Sequence, residues 1–372
     1  MHIIPQIFSE KVRLYASQEN WIESAAVEQL KTVSNLKGMN LAVGLPDLHP
    51  GKGSPIGAAY ICQRCFYPHL VGNDIGCGMS LLQTDIKSHK LKLDKWVKKL
   101  ELDEAWQGDR QAFVEEFELD EWDDALGTIG GGNHFAELQR VETIIDQEEA
   151  ETMGLEAKKL QLMVHSGSRG LGQMILRRHT DRFAGQPLAD DSEEGLAYLK
   201  AHDYAVKFAV ANRALIGRRF LESLHAKGRT LCDMTHNSVV RKETGWLHRK
   251  GAAPTDGSYV LIPGSRGSYS YVVQPTGDQE RNAWSAAHGA GRRWNRLSTR
   301  GRLEKKFSQS SLKQTGLGSR VICENKDLLY EEAPQAYKDI DRVVQDLVDA
   351  GIVKVVAVLR PLITYKTGRR KR

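Results

Sequence analysis

Short apolar runs that stop abruptly at polar, glycine-rich punctuation constrain this 372-residue chain more than any other feature. Leu41-Ala42-Val43-Gly44 ends before Pro46-Asp47, and residues 160–164 end before His165. Leu231-Cys232-Asp233-Met234 stops before His236, and residues 259–262 stop before Pro263-Gly264. Runs this short read as buried strands whose ends carry polar groups. Helical patterns lie between them. One covers about 20–35 (Trp21, Ile22, Ala25, Leu30, Val33) and one about 194–226 (Tyr204, Phe208, Ala211, Leu215). A third covers about 335–350 (Ile340, Val343, Val344, Leu347), with Gly351 as its C-cap. The charged segment 140–160 reads as an exposed helix, and a last strand over 352–359 leads into Pro361 and a basic tail. Strands and helices mix without regular alternation, which predicts an α+β fold. We expect one large domain over 1–368 around a central cleft, then a basic tail at 369–372.

Bulk properties exclude several classes. Apolar residues make up 41% of the chain, enough for a sizeable core, and there is no internal repeat or low-complexity tract. No apolar run approaches the roughly 18 residues that span a bilayer, and the first residues lack the layout of a secretory signal. Five cysteines, at 62, 65, 77, 232 and 323, are too few and too oddly placed for a disulfide framework, which fits a reducing cytoplasm. Cys62-x-x-Cys65 has zinc-ribbon spacing but no second pair, so it reads as structural, as do Cys232 and Cys323. Net charge is a mild +5, but basic residues cluster at 292–296, at 300–306 and at 366–372. Such clusters point to a polyanionic partner such as RNA.

Five segments set chemistry-bearing side chains into short Gly/Asn/Ser punctuation: 74–78, 130–134, 165–170, 235–237 and 285–292. Asp74-x-x-Cys77 places a carboxylate and a potential thiolate three positions apart, and sulfur can bridge two metals. His134, His165 and His236 would add imidazoles from three strand ends. This mixed donor set suits a two-metal site acting on phosphate, and by softness alone zinc or cobalt. In Ser285-Ala286-Ala287-His288-Gly289-Ala290-Gly291-Arg292 the small residues let backbone N–H groups approach a phosphate, Arg292 can grip it and His288 can attack it. An imidazole, with an unperturbed pKa of ~6.5, is a competent phosphorus nucleophile if its second nitrogen is held, and Asp47 is a plausible orienter. The chain lacks a Walker A loop, a His-Glu-x-x-His helix and the Lys-x-Asp-Gly motif of lysyl-nucleotide ligases. Three readings remain: a nucleotidyl-transfer ligase, a metal-dependent phosphoesterase acting on RNA ends, and a non-catalytic RNA-binding module.

In order along the chain, these motifs closely resemble the RtcB family of GTP-dependent RNA ligases. The likeness runs through Pro46-Asp47-x-His49, residues 72–78, 130–137 and 165–170, and His236-Asn237. It continues through residues 262–265, 285–292 and Glu332-Ala333-Pro334-x-Ala336-Tyr337-Lys338. The resemblance implies an enzyme using GTP and two Mn²⁺ ions to seal an RNA 3′-phosphate, or 2′,3′-cyclic phosphate, to a 5′-hydroxyl through a histidyl-GMP on His288. It implies that Asp74, Cys77 and His134 hold one manganese, and that Cys77, His165 and His236 hold the other. Asn133 and Asn237 would touch phosphates, with Gly289, Ala290 and Gly291 beside them. Glu137 and Lys366 would read the guanine edge near Phe135, while Ser265 and Tyr337 match further nucleotide contacts. Arg169 and Arg292 would meet RNA. The chain departs from the family in its shortness, in Arg266 and in its extra basic end. Such departures resemble an RNA-repair branch, in some bacteria paired with a release-factor homologue. That implies damaged ribosomal RNA, rather than tRNA under splicing, as substrate.

Overall fold

A computed structural model describes residues 5–368; the basic tail expected at 369–372 lies outside the described residues. The fold is α+β, with two sheets packed face to face. The six-stranded sheet runs Gln6–Ser9, Val12–Leu14, Met39–His49, Ile56–Cys62, Gly245–Lys250, Asn237–Lys242 in spatial order. The larger sheet runs Gly228–Thr235, Gly78–Lys87, Lys159–Ser166, Phe135–Ile144, Val353–Thr367, Ser270–Pro275, Val260–Ile262, with Arg320–Cys323 parallel to the long Val353–Thr367 strand. Between the sheets, Tyr15, Val43, Ala59 and Leu247 meet Met79, Met163, Val272 and Leu359. The outer face of the larger sheet, at Leu82, Leu138 and Leu162, is covered by Ile216 and Phe220 of the helix Glu193–Ser223. Ser192 caps that helix, its hydroxyl accepting from Gly195 N, and Glu193 and Glu194 oppose the positive end of its dipole. The helix Ser24–Ser34 covers the smaller sheet with Ala26, Leu30 and Val33.

Three expectations about the helices change. The segment 140–160 is mostly not helix: the Phe135–Ile144 strand occupies its start, a short helix spans Gln147–Met153, and Lys159–Ser166 begins at its end. Its charges belong to one strand's outer end and to the exposed face of a two-turn helix. The first helix begins at Ser24, leaving Trp21 half exposed. The last begins at Ile340 behind an Asp339 cap, and Tyr337 lies outside it. Its end is as expected: Gly351, at φ +64°, donates to Val348 O while Ile352 N reaches Leu347 O, a Schellman closure.

Pro263 ends its strand as expected, but Pro46 and Pro361 do not, and this matters for the site. The Met39–His49 strand continues through Pro46, because its register with Ile56–Cys62 jumps from Gly44 to His49. Residues 45–48 form a bulge where no ladder N–H is required of Pro46, and bulges re-aim side chains. The last strand likewise passes Pro361 at a register shift and continues to Thr367. Lys366 is therefore buried inside the fold and is no part of a surface tail. No helix among the described residues is long and apolar enough to cross a membrane.

Candidate active site

Antiparallel pairing gathers the donors. In the larger sheet Met79 pairs with His165, His165 with Phe135, and Thr235 with Gly78. The residues just outside those pairs, Cys77, His134 and His236, therefore share one sheet edge with His165. Cys77 Sγ lies 3.3 Å from Nε2 of both His134 and His165, and His165 Nε2 lies 3.3 Å from His236 Nε2. Asp74 Oδ2 is 2.9 Å from His134 Nε2. The other ring nitrogens are tied to main chain, His134 Nδ1 at 3.1 Å from Ile129 O and His165 Nδ1 at 3.2 Å from Asn133 O. A carbonyl only accepts, so Nδ1 of His165 carries the proton and its Nε2 lone pair faces the cluster, whereas His134 also meets the carboxylate of Asp74 through Nε2.

Burial pushes the Cys77 thiol well above its ordinary value, Asp74 adding to it, and drives His165 and His236 well below theirs. Burial would also raise Asp74, but the hydrogen bond and charge of His134, the Cys77 hydrogen bond and the Arg169 charge together outweigh it and the carboxyl is lowered. Asp74 Oδ1 is buried without any partner. Soft and hard donors converging in one dry place, with a carboxylate oxygen left over, fit divalent metal binding. A bound cation reverses the pKa logic by favouring the thiolate. The buried Arg213 steadies both loops, donating to Gly76 O at 2.8 Å and Ser166 O at 3.1 Å while paired with Asp233.

His288 follows the short strand Ser285–Ala287, whose Ala287 pairs with Ala252, and Ala252 N in turn donates to His236 O. That chain of main-chain bonds brings the His288 and His236 rings to 4.8 Å. His288 Nδ1 lies 2.7 Å from Oδ2 of the fully buried Asp47, which also accepts from His288 N. Gly291, at φ +72°, admits this approach, because a Cβ there would sit 2.2 Å from Asp47 O. Lys338 Nζ donates to Pro46 O and Leu48 O, and Asn20 Nδ2 also donates to Pro46 O, so the bulge carrying Asp47 is held on both sides.

A cavity of about 580 Å³ opens beside His288 and His165. Of the residues expected on a nucleotide, Asn133, Phe135, Glu137, Ser265, Gly289, Ala290, Gly291, Tyr337 and Lys366 line it. Glu137 faces Thr364 across the ladder and accepts from Thr364 Oγ1 at 2.5 Å and Gln139 Nε2 at 2.7 Å. Burial raises its carboxyl to about 7 and lowers Lys366, whose Nζ donates to His134 O. Asn237 does not line the cavity: its amide bridges Asp74 O and Gly251 N, an arrangement that braces the Asp74 loop. Arg292 lines it, but its guanidinium is engaged by Glu332 Oε1 at 3.0 Å and by Glu331 O and Trp294 O. Arg169 lies away from the cavity wall, its Nη1 3.2 Å from His134 Nδ1 and its Nε buried without a partner. The cavity also recruits His49, Lys52, Arg266, Arg296, Glu332 and Thr364, to which sequence reasoning assigned no role. His49 and Glu332 stand inside motifs that were legible, so motif membership was the available signal.

The family model described as tRNA-splicing ligase RtcB matches residues 29–104 and 95–367. The chain belongs to the RtcB family. It is 49% identical to the RNA-splicing ligase RtcB2 of Escherichia coli, over 98% of both chains. It is 32% identical to the tRNA-splicing ligase RtcB of Nanoarchaeum equitans, over 95% of each, and 28% identical to that of Methanococcus maripaludis, over 93% of this chain and 92% of that one. The Nanoarchaeum alignment spans 459 positions against 372 residues here, so this RtcB chain lacks insertions its archaeal relative carries. Family membership makes it an enzyme of the RNA-ligase class.

Proposed function

We propose that this RtcB chain joins an RNA 3′-phosphate, or a 2′,3′-cyclic phosphate once opened by water, to a 5′-hydroxyl at the expense of GTP. The observation that carries the reading is the 2.7 Å Asp47–His288 contact at the mouth of a nucleotide-sized cavity that adjoins the donor cluster. Asp47 holds the Nδ1 proton, so the Nε2 lone pair of His288 is available to attack. Nε2 forms a bond to the GTP α-phosphorus as the bond to the bridging oxygen breaks and pyrophosphate leaves with the electron pair. An oxygen of the RNA 3′-phosphate then displaces His288 from phosphorus. The 5′-hydroxyl attacks the activated 3′-phosphorus, losing its proton, and GMP departs.

Asp74, Cys77 and His134 would hold one manganese ion and Cys77, His165 and His236 a second. Bound there, the ions would offset charge on phosphoryl oxygens. Asn133 and the backbone of Gly289, Ala290 and Gly291 serve the phosphates. Glu137 accepts from the guanine edge, Lys366 donates to it, and Phe135, Ser265 and Tyr337 shape the base pocket. Arg169 serves the RNA phosphate, and Arg292 orders the pocket wall through Glu332. The reading places the enzyme in the cytoplasm, acting on damaged RNA, with ribosomal RNA as the favoured substrate. The test is incubation with α-labelled GTP and Mn²⁺ followed by a denaturing gel. An acid-labile, alkali-stable labelled band, lost in His288→Ala, is expected. Full RNA-end activity without GTP and without a band would replace the ligase with the phosphoesterase.

A further inference from the structure

His49 is buried yet lines the cavity alongside His288. Its Nδ1 lies 2.9 Å from Asp47 O, and a carbonyl only accepts, so Nδ1 bears the ring proton and Nε2 bears the lone pair. No group among the described residues takes that lone pair. Asp47 therefore holds two imidazoles at once, His288 by its carboxylate and His49 by its peptide oxygen. Burial lowers His49 to about 4, the nearby His288 and Lys338 charges adding to the effect, so the ring is uncharged around neutral pH. The cationic groups of the lining, Lys52, Arg296 and Lys366, are donors, as an anionic substrate requires, while Glu137 and Glu332 accept from other partners on the wall. A bare lone pair repels phosphoryl oxygens and has nothing to offer a triphosphate. It is suited to a hydroxyl.

We propose that His49 Nε2 accepts a hydrogen bond from a substrate hydroxyl and so orients that hydroxyl's oxygen beside His288. The inference rests on the ligase reading. Two hydroxyls could fill the role: the 5′-hydroxyl of the incoming RNA and a ribose hydroxyl of GTP. His49 orients and does not take the proton, so a neutral acceptor in its place should restore function. His49→Gln supplies one and His49→Leu does not.

The experiment separates the steps, with bound metal measured first to establish that the variants fold. Guanylylation rates are taken with GTP, 2′-deoxy-GTP and 3′-deoxy-GTP, and sealing is followed in a single turnover from enzyme already carrying the guanylate. If the RNA hydroxyl is the ligand, sealing by His49→Leu falls by about 10- to 100-fold more than guanylylation, and His49→Gln recovers most of it. If the ribose is the ligand, His49→Leu slows guanylylation with GTP to the wild-type rate on one deoxynucleotide and no longer distinguishes the two. Wild-type rates in every arm, or equal losses in His49→Leu and His49→Gln at both steps, would overturn the proposal. Absence of any guanylate on the wild-type protein would remove the ligase reading itself, and this inference with it.

Discussion

Cys77, His165 and His236 at the donor centre are driven towards their uncharged forms by burial, and Asp74 keeps a carboxylate oxygen with no partner. Across the same cavity, burial would raise Glu332 too, yet the Lys366 and Arg292 charges, the Tyr337 hydroxyl and Arg296 outweigh it and hold its carboxyl below the usual range. Tyr337 donates its hydroxyl hydrogen to Glu332, and Arg292 and Arg296 sit 3.0 and 3.6 Å from Glu332 Oε1. The wall is electrostatically complete as folded. The donor centre is complete only with a cation, because a low dielectric penalises a lone thiolate unless positive charge enters with it. One region is architecture and the other is a receptor.

The contrast breaks most decisively at Cys77. Cys77→Ser should strip both ions and abolish joining, since one sulfur is proposed to serve two metals; metal analysis of purified protein checks this. Two fully occupied sites in that variant would end the bridging assignment. Next comes Asp47→Asn, which keeps shape and a hydrogen bond but favours the wrong tautomer of His288. Guanylylation should fall by about 10³-fold with metal content unchanged, read from the labelled band and from metal analysis. Glu332→Gln tests the other region. It leaves Arg292 and Arg296 facing no carboxylate, and should lower stability by about 3 kcal/mol in denaturant melts while the metal sites still fill. Loss of metal in Glu332→Gln would show that the two regions are one unit.

The smallest effect sharpens the boundary between them. Folding raises Glu137 from an ordinary carboxyl value to about 7 by burial. A carboxyl raised in the folded state binds its proton more tightly there than in the unfolded chain. Its contribution is therefore favourable at low pH and is lost as pH rises through about 7. Melts of Glu137→Gln should be flatter than wild type between about pH 5 and 8. On the proposed reading, in which Glu137 accepts from the guanine edge, GTP binding should strengthen across the same window in the wild type, and Glu137→Gln should lose that pH dependence.

The donor and nucleophile segments were legible because each is local. Short polar side chains at glycine-rich strand ends declare their chemistry in a few consecutive residues, and an antiparallel sheet needs only its register to bring such ends together. Five strands and the three helices with clear apolar faces were legible for the same reason, whereas the division of the strands into two large sheets was not. Sequence alone thus named the candidate donors, the candidate nucleophile and its Asp47 partner, and the family whose motif order they share. Tertiary structure decided what depends on burial and on partners far apart in the chain. It carried strands through Pro46 and Pro361, because bulges remove the ladder bond a proline cannot make. It buried Lys366 on the cavity wall and engaged Arg292 with Glu332. It set His49 beside His288 through one shared aspartate. Charge and exposure at those positions come from neighbours tens to hundreds of residues away, and no local pattern encodes them.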